Sequence, residues 1–101
     1  MEAPEVLFSR VARAELLEIE AYVASTSGQI RADLVMGRLE SAVRSLSYCP
    51  GIGRPRVYTA KGELTFPVER WIIIDEPLPN LDGILVLHVI DSRRDLPRLL
   101  P

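Results

Sequence analysis

Pro50-Gly51-Ile52-Gly53-Arg54-Pro55-Arg56 divides the chain into two kinds of sequence. Two prolines and two glycines in seven residues cannot continue a helix, because proline lacks a backbone donor and glycine costs backbone entropy. Upstream, apolar residues recur with a period near 3.6. Downstream they alternate or run continuously over strand lengths. The stretch therefore marks a change of architecture, and it places two guanidiniums, Arg54 and Arg56, on a stiffened backbone with a proline between them.

Working back from it, residues 29–48 read as one helix. Ala32, Val35, Leu39, Ala42 and Leu46 form a single stripe, with Arg31, Asp33, Arg38, Glu40 and Arg44 mostly off it. Residues 10–24 read as an earlier helix with the stripe Ala12, Leu16, Ile19 and Val23, and Ser9 stands where an N-cap belongs. Thr26-Ser27-Gly28 separates the two, with Ser27 able to cap the second. Helices joined this closely form an antiparallel hairpin. Glu5-Val6-Leu7-Phe8, after Pro4, is a short strand. Cys49, at the end of the second helix, is expected to be a small buried apolar group.

Working forward, Val57-Tyr58 is a candidate short strand and Lys61-Gly62 a turn signal. Leu64, Phe66 and Val68 alternate, with Pro67 placing that strand at an edge or a bulge. Trp71–Ile74 and Ile84–Ile90 are strands apolar at both phases, separated by the proline-stiffened loop 76–83. Asp91–Asp95 is a polar turn, and Asp95 can cap a last turn through Leu99. Short links favour antiparallel pairing. The expected fold is α+β: an N-terminal strand, then a two-helix hairpin packed on one face of a three- to four-stranded antiparallel sheet, as one domain over residues 1–101. Because the two long strands are apolar on both faces apart from His88, the second sheet face is expected to be covered, by another copy or a different chain; the alternative is that loops and the chain's own C-terminus cap it.

The composition is that of a globular protein: 48% apolar and 26% charged residues over 101 residues, with a net charge of −2. That charge is the wrong sign for a protein living on phosphate contacts, so direct nucleic-acid binding is not expected. One cysteine permits no internal disulfide. The acidic, proline-broken start does not resemble a signal peptide, and no apolar run approaches bilayer length; the cytoplasm is the expected compartment.

Four pieces carry a resemblance that covers almost the whole chain. They are Ala14-Glu15-Leu16-Leu17-Glu18-Ile19 with Tyr22; Leu46 followed by the dividing stretch; Phe66-Pro67-Val68-Glu69-Arg70-Trp71-Ile72-Ile73-Ile74; and Val89-Ile90-Asp91-Ser92-Arg93-Arg94-Asp95-Leu96. Together they resemble the ParE branch of the RelE/ParE superfamily, toxins of type II toxin–antitoxin systems. The chain departs from the family pattern at Leu64, where an Arg is frequent, and at Trp71, where a Tyr is. Asp91 stands where the family commonly has His, so His88 is not that histidine.

The resemblance implies a toxin that inhibits DNA gyrase by protein–protein contact without chemistry of its own. It would be neutralised by a ParD-like antitoxin in a hetero-oligomer, with no cofactor and no metal. Two alternatives share the fold: a ribosome-dependent messenger-RNA endoribonuclease of RelE type, and a non-toxic relative that only binds antitoxin. The residues assigned to target or antitoxin contact are Arg54, Arg56, Arg70, Trp71, Arg93, Arg94 and Asp95. Several have a structural role open to them as well. Arg54 and Arg56 can tie the dividing stretch to helix carbonyls or to Glu63. Arg70 can pair with Asp75 or Asp91, and one of Arg93 and Arg94 can be a salt-bridge partner. No catalytic residue is assigned. The ribonuclease chemistry needs a base, cations and an acid, and no Tyr or His follows Arg93-Arg94. His88 alternates with Ile84, Val86 and Ile90, which places it on a core-facing or rim position.

Overall fold

A computed structural model describes residues 3–50, 54–55, 63–79 and 82–93. The two apolar stripes produce the two helices. Helix α1 spans Arg10–Ser27 and α2 spans Gln29–Tyr48. Ala12, Ile19, Val23, Ala32, Val35, Leu39 and Leu46 are all buried, and Val43 joins them beside the half-buried Ala42. Helix α1 runs three residues past the expected end at Ala24, so Ser27 belongs to it and caps nothing. Gly28 makes the joint instead. Its φ of 88° is one that L side chains rarely adopt, its N–H donates to the Ala24 carbonyl at 3.0 Å, and its carbonyl accepts from Ala32 N–H at 3.1 Å. Cys49 caps α2 and is exposed rather than buried.

The strands are β1 (Glu5–Phe8), β2 (Arg54–Pro55), β3 (Leu64–Val68), β4 (Trp71–Pro77) and β5 (Gly83–Asp91). They form one sheet in the order β1-β5-β4-β3-β2. β2 through β5 pair antiparallel as expected, and β1 adds itself to the far edge parallel to β5. The second strand lies inside the dividing stretch; the candidate Val57-Tyr58 falls outside the described residues. β4 continues beyond Ile74 to Pro77, into what reads as loop.

The pairing of β4 with β5 slips between Ile74, opposite His88, and Asp75, opposite Val86. Leu87 is thus the extra residue of a β-bulge. The slip corrects the expected alternation. Ile84, Val86 and Val89 pack with Trp71 and Ile73 against the helices, whereas Ile90 joins Ile74 in a second cluster with Ile72 and Leu87. That second cluster also corrects the expectation of an open apolar face. Ile74 and Ile90 are buried within the single chain. The large apolar side chains left exposed are instead mostly on the helices, chiefly Leu17, Ile30, Leu34 and Tyr48.

A bulge frees backbone polar groups that must be paired elsewhere. Helix α1 supplies the partners. Ser9 Oγ donates to the Leu87 carbonyl at 2.7 Å and accepts from Ala12 N–H at 2.9 Å, as the expected N-cap. Glu15 Oε1 accepts from Val89 N–H at 3.0 Å and lies 3.3 Å from His88 Nδ1. One hydroxyl therefore both starts the helix and fixes it to the bulge. Ser9→Ala is expected to destabilise the chain by about 2 kcal/mol in urea titration, the sum of a lost cap and a carbonyl left unpaired. Ser9→Asp keeps the cap acceptor but cannot donate to Leu87, and it should recover only part of that loss.

Candidate functional site

The site begins at the tight turn between β3 and β4, where Val68 is paired with Trp71 and Glu69-Arg70 make the corner. Glu69 has a φ of 54°, a conformation uncommon for a residue with a side chain. Two guanidiniums of α2 hold it there. Arg31 Nη2 donates to Glu69 Oε1 at 2.7 Å, and Arg38 Nη1 donates to Oε2. Arg31 and Arg38 are seven residues apart, two helical turns, so both reach the same side. The hydrogen bond from Arg38, aided by Arg31, holds the Glu69 carboxyl below the usual carboxylate range.

The clamp fixes the base of Arg70. Its guanidinium carbon lies 5.5 Å from the ring centre of Tyr22 on α1 and 5.2 Å from that of Trp71. Both distances suit cation–π attraction. Arg70 Nη2 donates to Asp91 Oδ2 at 2.7 Å, so Asp91, not Asp75, is its partner. Arg93 binds the same carboxylate through its backbone N–H at 2.9 Å, Nε at 3.1 Å and Nη2 at 3.0 Å. Ser92 N–H closes the corner onto the Arg70 carbonyl at 2.8 Å. These groups line an open cavity of about 350 Å³, with Glu15 and Glu18 of α1 on its other wall.

The structure thus brings Arg70, Trp71 and Arg93 to one cavity, because β4 begins where β5 ends and Trp71 is paired with Asp91. Trp71 is only 5% exposed; it is a wall and core residue rather than a contact surface. Arg54 is placed by its backbone in β2, opposite Thr65. Arg56, Arg94 and Asp95 lie outside the described residues. Tyr22, Glu69, Arg31, Arg38 and Asp91 were not among the assigned site residues, yet they hold the arginine in place. Tyr22 is half exposed on the outer side of α1, a position that reads as solvated; the aromatic ring itself was the available signal.

Chemically the site offers oriented charge. One carboxylate, that of Asp91, is shared by two guanidiniums, and these face the carboxylates of Glu15 and Glu18 on the opposite wall. Among the described residues no group of three or more His, Cys, Asp or Glu side chains is arranged to hold a metal ion. No helix among them is long and apolar enough to cross a membrane.

The sequence matches a family profile described as ParE toxin of type II toxin–antitoxin system, parDE, over residues 6–96. In structure the chain is similar to one solved as the chromosomal ParDE TA system from P. aeruginosa, with a TM-score of 0.75 at 19% identity, covering 90% of this chain and 98% of that one. No curated protein matches the sequence.

Proposed function

This chain belongs to the ParE toxin family of type II toxin–antitoxin systems, and from that premise we propose that it acts by docking on DNA gyrase and is held inactive by a ParD-like antitoxin in the cytoplasm. The observation that carries the reading is the match along residues 6–96, nearly the whole chain. The cavity supports contact rather than bond-breaking. Its cations are committed to Asp91, and Arg70 is also stacked on two rings, an arrangement that fixes a charged surface. Guanidiniums held this way recognise carboxylates on a protein partner with little further loss of side-chain freedom.

A supercoiling assay with antitoxin-free protein tests this. The unaltered chain is expected to inhibit gyrase, and Arg70→Gln to inhibit at least tenfold less while keeping its thermal transition. No inhibition by the unaltered chain removes gyrase as the target. Cleavage of messages within codons on induction assigns the chain to the ribonuclease reading instead.

A further inference from the structure

The corner between β3 and β4 is a two-residue turn, Glu69-Arg70, flanked by the paired Val68 and Trp71. Glu69 is its first residue, and its φ of 54° is the sole positive φ among the described non-glycine residues. Where a two-residue hairpin turn needs a positive φ, glycine is the ordinary choice, because it adopts that backbone without strain. A glutamate there carries a backbone cost that its side chain must answer for. What the side chain makes is two ion pairs, to Arg31 and Arg38 of α2, whose own side chains are 42% and 54% exposed. Exposed ion pairs add little net stability, of the same order as the strain they oppose. The clamp is therefore close to neutral for folding, and its product is position.

The side chain it positions is Arg70. Asp91 receives that guanidinium at one nitrogen, Nη2, while Nε is buried and makes no hydrogen bond among the described residues. A guanidinium held to a carboxylate by one nitrogen lacks the two-point grip of a bidentate pair and can pivot. Its direction then depends on where the backbone of the corner stands. The clamp ties that backbone to α2, and Ser92 N–H ties the Arg70 carbonyl to the end of β5. We infer that Glu69 is a positioning residue for target contact, which acts through Arg70 and touches no partner itself. A cation already fixed in direction loses less freedom when a carboxylate of the target reaches it. The inference rests on the reading of the cavity as the surface that meets the target.

Glu69→Gly tests it, because the substitution removes the clamp and the strain together. The Arg70 Nε–H lies against the Tyr22 and Trp71 rings, and their ring currents displace its NMR signal. In Glu69→Gly that displacement should fall by about half or more, while the urea midpoint holds level, strain relief offsetting the entropy a glycine adds to the unfolded chain. In the supercoiling assay the variant should inhibit about fivefold less than the unaltered chain, a smaller loss than that of Arg70→Gln. In the Arg70→Gln chain, Glu69→Gly should change inhibition by less than about twofold, since the residue through which it acts is gone. Arg38→Gln leaves the turn itself intact and should move the signal and the inhibition the same way, by less. An Arg70 signal that stays in place in Glu69→Gly, undiminished inhibition, or an equal loss with and without Arg70 each overturns the inference. A clear drop in the urea midpoint also overturns it, by making the clamp a stabilising device. A signal that moves as expected in a chain that never inhibits gyrase supports the positioning of Arg70 and removes gyrase as the partner it serves.

Discussion

Gly83→Ala is expected to cost about 3 kcal/mol or more, and to lower the thermal midpoint by roughly 15 °C. A methyl group at residue 83 would stand 1.9 Å from the Glu5 carbonyl oxygen and 2.8 Å from both Glu5 C and Glu5 N. All three are backbone atoms of β1, and no rotamer change relieves them. Gly83 also has a φ of 145°, which disfavours any other residue. To admit the methyl, β1 must shift by more than an ångström, and the Glu5–Asp82 hydrogen bond and the Glu5–Gly83 pairing go with it. Val6 and Phe8 then lose their seats over the core. The contrast is Gly37, mid-way along α2, where an added Cβ meets nothing within 4 Å. Gly37→Ala should stabilise the chain by about 0.5–1 kcal/mol, through helix propensity. Urea denaturation followed by the fluorescence of Trp71, the sole tryptophan, reads both. Equal effects at the two glycines would show that close approach of β1 is not what residue 83 serves.

The same two glycines show how far the sequence could be read. The helices were legible because burial imposes a 3.6-residue period, and a serine before an apolar stripe has a physical reason to be there. The strands were legible as apolar runs, but not their details. In Ile84-Leu85-Val86-Leu87-His88-Val89-Ile90 every position except His88 is apolar, so a one-residue slip exchanges apolar residues for apolar ones everywhere else. The bulge at Leu87 left no mark, and Ile90 consequently went to the wrong face. Pairing partners far apart in sequence were equally invisible. Nothing in residues 5–8 states that they lie parallel to β5, and Gly83 reads as the end of a loop until the backbone of Glu5 is seen against it.

The candidate site was half legible for the same reason. Arg70, Trp71 and Arg93 could be named one by one, but their convergence depends on the register Trp71–Asp91. The Glu69 clamp was hidden differently. Arg31 and Arg38 share a side of α2 by simple helical arithmetic and read as solvated charge. Only the turn thirty residues on gives them an acceptor. The choice between Asp75 and Asp91 as the partner of Arg70 was open in the sequence. It was settled by the antiparallel pairing, which puts Asp91 opposite Trp71 and Asp75 four residues further along β4, opposite Val86.

That outcome leaves Asp75 without a cation, and its removal should make the chain more stable at neutral pH. Asp75 is fully buried and neither carboxylate oxygen has a hydrogen-bond partner. Burial disfavours the charged form, and the neighbouring Glu76 adds repulsion; against the pull of its own amide these raise the Asp75 pKa from 3.8 to about 6. Between those two values the folded chain holds a proton that the unfolded chain has released. Stability therefore falls as the pH rises from about 4 to about 6, and the loss persists above that, at about 3 kcal/mol in full. Asp75→Asn has nearly the shape of the protonated acid. At pH 4.5 the two chains should unfold within about 1 kcal/mol of each other. At pH 7.5 the Asn chain should be the more stable by about 2 kcal/mol, the remainder being lost to an amide that is no better paired. Taking the difference between the two chains at each pH cancels the titration of every other group. A difference that does not change between pH 4.5 and pH 7.5 would mean that Asp75 is not held neutral by its burial, and that β4 gains from this carboxylate something other than a cost.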